Sequence, residues 1–428
     1  MPQLRRMRHY VRAFIEAVEA DGLGYALRRA GGFVRRKIRN RGLAGFPPDP
    51  PNIFGPIVDT LPITPLDRPL LLIISDTAIR QCIHYRIEQK LRLLEKIGIQ
   101  AMFFSADQRA RFMGFLGLAH TVIVYRTAAD ATLIQAIRDA GANLVFEFDD
   151  LVVGRPAMEG SGILDQVTER QALHLRKLSD DLLATAQQAD ALIVSTDHLA
   201  DLYAKQENQL AGKPSHVLPN FIEAEHYAAP GQRDFTFAYT SPSGSIRNEL
   251  EMLKGLLTSY DAVADRDWSI LVMGNDLARK ELEAIPFRRG QVQYHPFSSF
   301  DEYLATIARA ELVLIPLSDT NFNRSKTAIR LMDAAVAGTP ALFCPVGAYD
   351  AIREALRDDI SCLPSHEWHD AGPRVADMLE RQNMLIADLQ QAIERIYGVA
   401  AAEERYRTLF MDELHVPSSL ATMEEAQS

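Results

Sequence analysis

Basic, hydroxyl and acidic side chains are concentrated in the segment 316–340. Lys326 and Thr327 stand where apolar residues begin to recur at helical spacing, and Asn323 precedes them. A lysine at the start of a helix can bind a diphosphate, because the ammonium group and the unpaired backbone amides both attract anions. Asp333, about two turns further on, could accept hydrogen bonds from sugar or ribose hydroxyls. An amphipathic helix with these polar residues turned to solvent is the structural alternative.

A second group of polar residues is acidic. Glu147, Asp149 and Asp150 follow an apolar run at 143–148 that is typical of a buried strand. Carboxylates crowded at a strand end are costly unless they bind a ligand or share protons, and Asp149 or Asp150 could orient or deprotonate a hydroxyl group. Two alternatives stay open: a site for Mn²⁺ or Mg²⁺ at Glu147 and Asp149, and a helix cap with salt bridges.

The first predicted strand is followed by further candidate residues. Asp76 comes directly after the apolar run 70–75, and Tyr85 and Arg86 stand where the next helix is predicted to begin. The N-terminus of that helix can bind an anion. The alternative is a capped helix that carries an exposed arginine.

A loop of small residues follows the strand predicted at 235–239. It contains Ser243 and Gly244 and leads to Arg247. Small residues let backbone amides approach a phosphate, and the helix after the loop adds partial positive charge. Gly274 ends another predicted strand. Loops of serine, glycine and proline also form ordinary turns.

The elements that would position these residues alternate between apolar runs and amphipathic segments, which is typical of parallel sheets. Strands are predicted at 70–75, 100–104, 121–125, 143–148, 191–195, 235–239, 269–273, 292–296, 312–315 and 341–344. Helices are predicted at about 85–97, 129–140, 169–189, 248–263, 327–337, 373–382 and 384–397, with another starting at 196. The pattern restarts near 222–234, which predicts two doubly wound α/β domains. Ligands bind such sheets beyond the carboxyl ends of the strands.

The domain boundaries follow from this pattern. We expect a basic helical arm and proline-rich linker over 1–67, a first domain over 68–222, a second domain with C-terminal helices over 223–416, and a disordered tail over 417–428. Residues 1–42 hold eleven basic and three acidic residues, although the whole chain has a formal charge of −10. Arginines among helically spaced apolar residues indicate an arm that lies on an anionic membrane surface. Packing on the protein's own surface and a disordered basic tail are the alternatives.

Composition excludes several classes of protein. Hydrophobic residues make up 47% and charged residues 24% of the 428 residues, as in ordinary soluble enzymes. Only three cysteines occur, without CxxC spacing, so neither a disulfide framework nor a structural zinc site is expected. The acidic body argues against nucleic acid as a partner. No GxGxxG follows the first strand, and neither GxxxxGK[ST] nor GxSxG occurs.

The stretch 322–340 resembles the donor-binding segment of GT-B glycosyltransferases related to glycosyltransferase family 4. The similarity is clearest in Asp333-Ala-Ala-Val-Ala-Gly-Thr-Pro340, and Leu218-Pro219-Asn220 resembles the end of the family's first domain. Tyr85-Arg86 and Phe148-Asp-Asp-Leu151 resemble a bacterial subgroup. The family pattern has two glutamates, which fall here at Ser325 and Asp333, so the first acidic side chain is missing.

The resemblance implies two Rossmann-like domains that face a cleft, and an enzyme that transfers a sugar from a nucleotide diphosphate sugar with retention of anomeric configuration. It implies donor binding by Ser243, Gly244, Arg247, Gly274, Asn323, Lys326, Thr327 and Asp333. It implies acceptor binding by Asp76, Tyr85 and Arg86. Lys326 would stabilise the leaving diphosphate, and Asp149 or Asp150 would act on the acceptor hydroxyl. No metal or other cofactor is expected.

Together with the basic arm, the resemblance implies a glycan or lipid-linked acceptor and bacterial cell-surface polysaccharide synthesis. We expect a cytoplasmic protein, peripheral on the inner face of the cell membrane. Two alternatives stay open. A nucleotide-sugar epimerase with the same architecture would turn over the donor alone, and a non-catalytic domain would bind glycans without transfer. The sequence pattern Glu147-Phe148-Asp149 also resembles the metal-binding motif of GT-A glycosyltransferases.

Overall fold

The computed structural model describes residues 70–75, 80–154, 168–205, 209–223, 232–240, 247–296 and 299–416, and the single residues 159 and 164. The predicted arm over 1–67, Asp76, Ser243, Gly244 and the predicted tail over 417–428 lie outside these residues. The backbone of Arg247 is described, but its side chain is not.

The first half of the chain forms a parallel sheet with strand order β2-β1-β3-β4-β5-β6. Its strands are β1 (Leu70–Ser75), β2 (Ala101–Ser105), β3 (Ala119–Tyr125), β4 (Asn143–Phe148), β5 (Ala191–Val194) and β6 (Ser215–Val217). Strand β1, with the sequence LLLIIS, is buried along its whole length. Continuous apolar strands of this kind are typical of parallel sheets that helices cover on both faces.

The second half forms another parallel sheet, with strand order β11-β10-β7-β8-β9. Its strands are β7 (Phe235–Thr240), β8 (Trp268–Met273), β9 (Gly290–His295), β10 (Ala310–Ile315) and β11 (Ala341–Phe343). Each strand predicted from the sequence is present, with ends that move by at most two residues. The expectation of two doubly wound α/β arrays is confirmed.

Helices connect the strands. In the first half they are α1 (Arg80–Ile83, continued by a π-helical turn His84–Glu88 and by Gln89–Lys96), α2 (Arg109–Phe112), α3 (Ala131–Asp139), α4 (Glu169–Gln188) and α5 (Asp197–Ala204). In the second half they are α6 (Arg247–Val263), α7 (Asp276–Glu283), α8 (Phe300–Ile307), α9 (Asn321–Arg324), α10 (Ile329–Val336), α11 (Ala348–Ala355), α12 (Gly372–Glu380), α13 (Gln382–Tyr397) and α14 (Val399–Arg407), which ends in a π-helical turn Thr408–Glu413.

One difference from the prediction affects the candidate site. The helix expected over 327–337 starts only at Ile329, and Lys326 lies in the connection between α9 and α10. The side chain of Thr320 caps α9 by accepting a hydrogen bond from the Asn323 amide, which starts a separate short helix. Lys326 is therefore presented by a loop that is fixed at both ends by helices.

The last helix returns to the first half of the chain. Lys96 of α1 forms an ion pair with Glu403 of α14 at 2.7 Å. Phe221 packs edge-on against Tyr406, with 5.8 Å between ring centroids. Among the described residues, no helix is long and apolar enough to cross a lipid bilayer.

Candidate functional site

The connection between α9 and α10 contacts the carboxyl edge of the first sheet. Thr196, which follows β5, donates a hydrogen bond to the carbonyl oxygen of Ser325 at 3.3 Å. Asn220, which follows β6, donates from its side-chain amide to the Thr327 hydroxyl at 3.2 Å. These contacts bring the polar segment found in the sequence to the edge where a doubly wound sheet binds ligands.

Asp333 forms a second connection between the two halves. The Tyr85 hydroxyl of α1 donates to Asp333 Oδ1 at 2.6 Å, and the Tyr303 hydroxyl of α8 donates to Oδ2 at 2.9 Å. Asp333 is fully buried and Tyr85 nearly so. This placement differs from the expectation that Asp333 binds sugar or ribose hydroxyls and that Tyr85 binds the acceptor. The two side chains bind each other, because a buried carboxylate needs hydrogen-bond donors.

Glu147 lies at the end of β4 and is fully buried. Its carboxylate accepts a hydrogen bond from Arg86 Nε at 2.8 Å and forms an ion pair with Lys90. Arg86 also donates to the carbonyl oxygen of Leu218 at 2.6 Å and to the side chain of Asn220 at 3.2 Å. These contacts leave Glu147 in a buried ion cluster, with its oxygens engaged by cations, and do not favour a metal site there.

Arg86 was expected to bind the acceptor, but only 1% of its surface is exposed. Burial lowers the pKa of the neighbouring Lys90 to about 8, against the opposing attraction of Glu147. The buried ion cluster of Arg86, Lys90 and Glu147 is therefore placed to stabilise the carboxyl edge of the first sheet.

Asp149 and Asp150 share a cation that the sequence reading missed. Arg126, directly after β3, donates from Nη1 to Asp149 at 2.9 Å and to Asp150 at 3.1 Å. The Asp149 side chain is 6% exposed, whereas that of Asp150 is 30% exposed. Burial raises the pKa of Asp150, the charge of Arg126 opposes that rise, and Asp149 adds to it. Of the two, Asp150 is the carboxylate with better access to solvent.

Lys326 belongs to the second half of the chain, in the connection between α9 and α10. Its ammonium lies over the Phe322 ring, 4.6 Å from the ring centroid. Burial lowers the pKa of Lys326. The negative charges of Glu249 and Asp150 raise this pKa, and the positive charge of Arg330 lowers it. Within the described part of the chain, the ammonium has no acidic group within ion-pair distance. A half-buried cation without an ion-pair partner is able to bind an anion, because burying an unpaired charge is costly.

Arg330 lies four residues after Lys326, near the end of β7. Its guanidinium donates to Glu249 at 3.3 Å and to the carbonyl oxygen of Thr240 at 3.4 Å. Glu249 in turn accepts a hydrogen bond from Tyr239 at 3.0 Å. Four charged residues at this point are partly exposed, and we call them the edge cluster: Lys326, Arg330, Arg126 and Asp150.

The remaining sequence candidates lie around this cluster. Asn323 is buried and donates from its side-chain amide to the carbonyl oxygen of Ser318 at 2.8 Å. Ser325, where the family resemblance expects an acidic residue, is buried and donates to the carbonyl oxygen of Asn321. Gly274 ends β8 with φ of +77°, a conformation that favours glycine. Its backbone amide donates to the carbonyl oxygen of His295 at 2.9 Å.

Three functional candidates were missed or left without a role: Arg126, Glu249 and Arg330. The position of Arg126 in the sequence could have indicated a functional role, because this residue directly follows the apolar run that ends at Tyr125. It also has φ of +46°, which is uncommon for a residue other than glycine. Across the residues that the structure describes, no group of three or more His, Cys, Asp or Glu side chains is arranged to hold a metal ion.

Neither the family models nor the curated protein sequences gave a match. Solved structures do resemble the fold. AviGT4, a glycosyltransferase involved in avilamycin A biosynthesis, has a TM-score of 0.52 at 14% identity, over 81% of this chain and 98% of AviGT4. HepE from Anabaena, solved in complex with UDP, has a TM-score of 0.50 at 10% identity, over 80% of this chain and 99% of HepE. The chain has the GT-B fold.

A third similar structure is longer than this chain. The pneumococcal O-GlcNAc transferase GtfA, in complex with UDP and GlcNAc, has a TM-score of 0.49 at 16% identity, over 71% of this chain. The chain spans 59% of the length of GtfA. At 14% and 10% identity, the similarity to AviGT4 and HepE establishes the GT-B fold alone.

Proposed function

We propose that this chain is a glycosyltransferase that moves a sugar from a nucleotide diphosphate sugar to a hydroxyl group of a glycan or lipid-linked acceptor. The observation that supports this most directly is the edge cluster, which combines a cation of the second half with a carboxylate of the first half. Lys326 is a half-buried cation without an ion-pair partner among the described residues, and its neighbours Ser325 and Thr327 are hydrogen-bonded to the carboxyl edge of the first sheet. Asp150 lies at that same edge, after β4. An anion site in one half and a carboxylate in the other suit donor and acceptor respectively.

On the donor side, cleavage of the sugar–phosphate bond leaves negative charge on the nucleoside diphosphate. A fixed ammonium at that position stabilises the developing charge without needing to reorganise, which is the main source of such catalysis. Lys326 is the residue we assign to this task. The glycine turn at Gly274, at the carboxyl end of β8, is a further donor contact in this proposal.

On the acceptor side, Asp150 would accept the proton of the attacking hydroxyl or orient it. A raised pKa brings a carboxyl group closer to the pH at which it acts as an efficient base. The more buried Asp149 holds Arg126 in place beside Asp150. The anomeric outcome that we propose is retention, on the family resemblance alone.

The finer assignments are also proposals. Membership of glycosyltransferase family 4, a role in bacterial surface polysaccharide synthesis and attachment of residues 1–42 to an anionic membrane rest on the sequence. The UDP bound to HepE makes UDP the first nucleotide to test. Sedimentation with anionic liposomes, with and without residues 1–42, tests the membrane attachment, and equal binding by both forms would rule out the arm as an anchor.

The first test of the function is a thermal-shift screen against nucleoside diphosphates and their sugars, with and without EDTA. A ligand that binds only the folded protein raises the melting temperature. A rise with one nucleotide that persists in EDTA supports the proposal and identifies the base. A rise that EDTA abolishes points to a metal-dependent site instead. No rise with any nucleotide favours a non-catalytic GT-B domain, for which the buried Ser325 in place of an acidic residue is the specific observation.

Replacing Lys326 with methionine tests the mechanism. Loss of one group that stabilises transition-state charge typically lowers kcat by about 100- to 1,000-fold, and we expect a fall of that size in sugar transfer with an unchanged melting temperature. Arg324→Met is the matched control, because Arg324 is exposed on the same segment and paired with Asp319. Transfer by Lys326→Met at the wild-type rate would remove the phosphate assignment.

A further inference from the structure

Arg330 is held in a way that leaves much of its hydrogen-bonding capacity unused. A guanidinium has five N–H donors. In Arg330, Nη1 donates to the carbonyl oxygen of Thr240 and Nη2 donates to Glu249, at 3.4 and 3.3 Å. Both contacts are longer than the 2.7–2.9 Å typical of charge-assisted bonds. Of the five donors, about three therefore have no acceptor among the described residues.

Lys326 adds donors at the same place. It lies four residues before Arg330, in the connection that leads into α10, and the two cations affect each other electrostatically. Its three ammonium donors have no acceptor in the part of the chain that the structure describes. The two cations share one acidic neighbour in their own half, the buried Glu249. The second half therefore presents more positive than negative charge at this point, together with about six unused donors.

Burying cations without matching acceptors is costly, and an anion with several oxygens removes that cost. A diphosphate group fits better than a carboxylate, since its oxygens are numerous enough to use donors from two side chains. The end of β7 lies directly beside this point, because the Thr240 carbonyl oxygen is one of the two acceptors that fix Arg330.

We propose that Arg330 is a second ligand of the donor diphosphate, next to Lys326, and that Glu249 is the positioning residue that directs it there. This inference rests on the proposed function, which it extends by one binding residue and one positioning residue. Glu249 is suited to its role because it is buried and fixed by the Tyr239 hydroxyl. Glu249 and the Thr240 carbonyl oxygen each accept one N–H of the guanidinium, on Nη2 and Nη1 respectively. The N–H groups that remain would bind the phosphates.

The test measures binding of UDP, UMP and inorganic pyrophosphate by isothermal titration calorimetry, on the full chain. Loss of a hydrogen-bonded charge at a phosphate site corresponds to about 10- to 100-fold in affinity. We expect Arg330→Met to weaken UDP and pyrophosphate binding by that factor and UMP binding by less, so that the preference for UDP over UMP falls. Arg330→Lys should restore part of the affinity. Arg324→Met, the exposed arginine of the preceding helix, should bind all probes as the wild type does.

Glu249→Gln tests the positioning role. It keeps the shape of the side chain and a partner for Tyr239 but removes the charge that orients Arg330. We expect a smaller loss of UDP affinity than in Arg330→Met, and no further loss when the two substitutions are combined. If Arg330→Met does not fold, Arg330→Lys and Glu249→Gln still decide the matter. An unchanged UDP-to-UMP preference in both of them overturns the inference.

The outcomes separate this inference from the proposed function. Sugar transfer by the wild type, with UDP and pyrophosphate affinities unchanged in Arg330→Met, overturns the inference and leaves the proposed function in place. Arginine-dependent pyrophosphate binding without transfer from any sugar nucleotide supports the inference and overturns the proposed function. A wild-type protein that binds neither UDP nor pyrophosphate at millimolar concentration overturns both.

Discussion

Two lysines, one in each half of the molecule, show how differently the two sheet edges use positive charge. Lys90 is fully buried in contact with the Glu147 carboxylate, which Arg86 also binds. Lys326 is half-buried, lies over the ring of Phe322 and has no acidic partner within ion-pair distance among the described residues. Burial lowers the pKa of both lysines. Only the first is matched by an acid in contact with it.

This difference distinguishes charged residues that stabilise the fold, which we call the scaffold, from charged residues that could bind a ligand, which we call the site. A buried charge that is matched within the protein holds elements together, because removing one partner leaves the other without compensation. A charge that lacks its partner is available to an external ligand. We therefore expect substitutions in the Lys90 cluster to cost stability, and substitutions of Lys326 to cost binding.

The largest effect should come from Glu147→Gln. Breaking a buried ion pair typically costs about 3–5 kcal/mol, and here two cations would remain beside a neutral amide. We expect the free energy of unfolding in urea to fall by about that amount. Lys326→Met should leave this free energy unchanged.

Asp150→Asn provides the matched acidic control for Glu147→Gln. Its side chain is 30% exposed and shares Arg126 with Asp149, so we expect a stability change of less than about 1 kcal/mol. Equal destabilisation by both substitutions would contradict the division of these acids into scaffold and site.

The strands were predictable from the sequence, and so was the polar segment that carries part of the candidate site, because both depend on local patterns. Continuous apolar runs such as Leu70–Ser75 and Asn143–Phe148 identify buried parallel strands, and both have the predicted bounds. The segment 316–340 was also recognisable, since its polar residues cluster directly after a strand. The break between α9 and α10 was not predictable, because the local cap at Thr320 is weak as a sequence signal.

The roles of the charged residues were harder to predict, since they depend on partners that are distant in sequence. Glu147 meets Arg86 and Lys90, which precede it by 61 and 57 residues. Asp333 meets Tyr85, which is 248 residues away. No local pattern distinguishes a carboxylate that binds such partners from one that faces a ligand. Only the packing of the two sheets makes that distinction.

A smaller effect is expected at the junction between the halves. Tyr85→Phe removes the hydrogen bond to Asp333 across the junction, and Tyr303→Phe removes the other tyrosine bond within the second half. A hydrogen bond to a charged group contributes about 1.5–3 kcal/mol, so each substitution should lower the free energy of unfolding in urea by that amount. UDP affinity should change little in either. A large loss of UDP affinity without loss of stability would return Asp333 to the donor site, as the family resemblance implied.

The smallest effect concerns Asp150 and depends on the proposed function. Its pKa is raised by burial and lowered by the charge of Arg126. Removing that charge in Arg126→Met should raise the pKa of Asp150 further, because the carboxylate loses its neighbouring cation. If Asp150 acts as the base, kcat/KM falls when pH drops through this pKa, so the acid limb of the profile should move to higher pH in the variant. Arg126→Lys keeps the positive charge and should leave the limb close to its wild-type position. An acid limb that does not move in Arg126→Met would mean that a group other than Asp150 takes the proton from the acceptor hydroxyl.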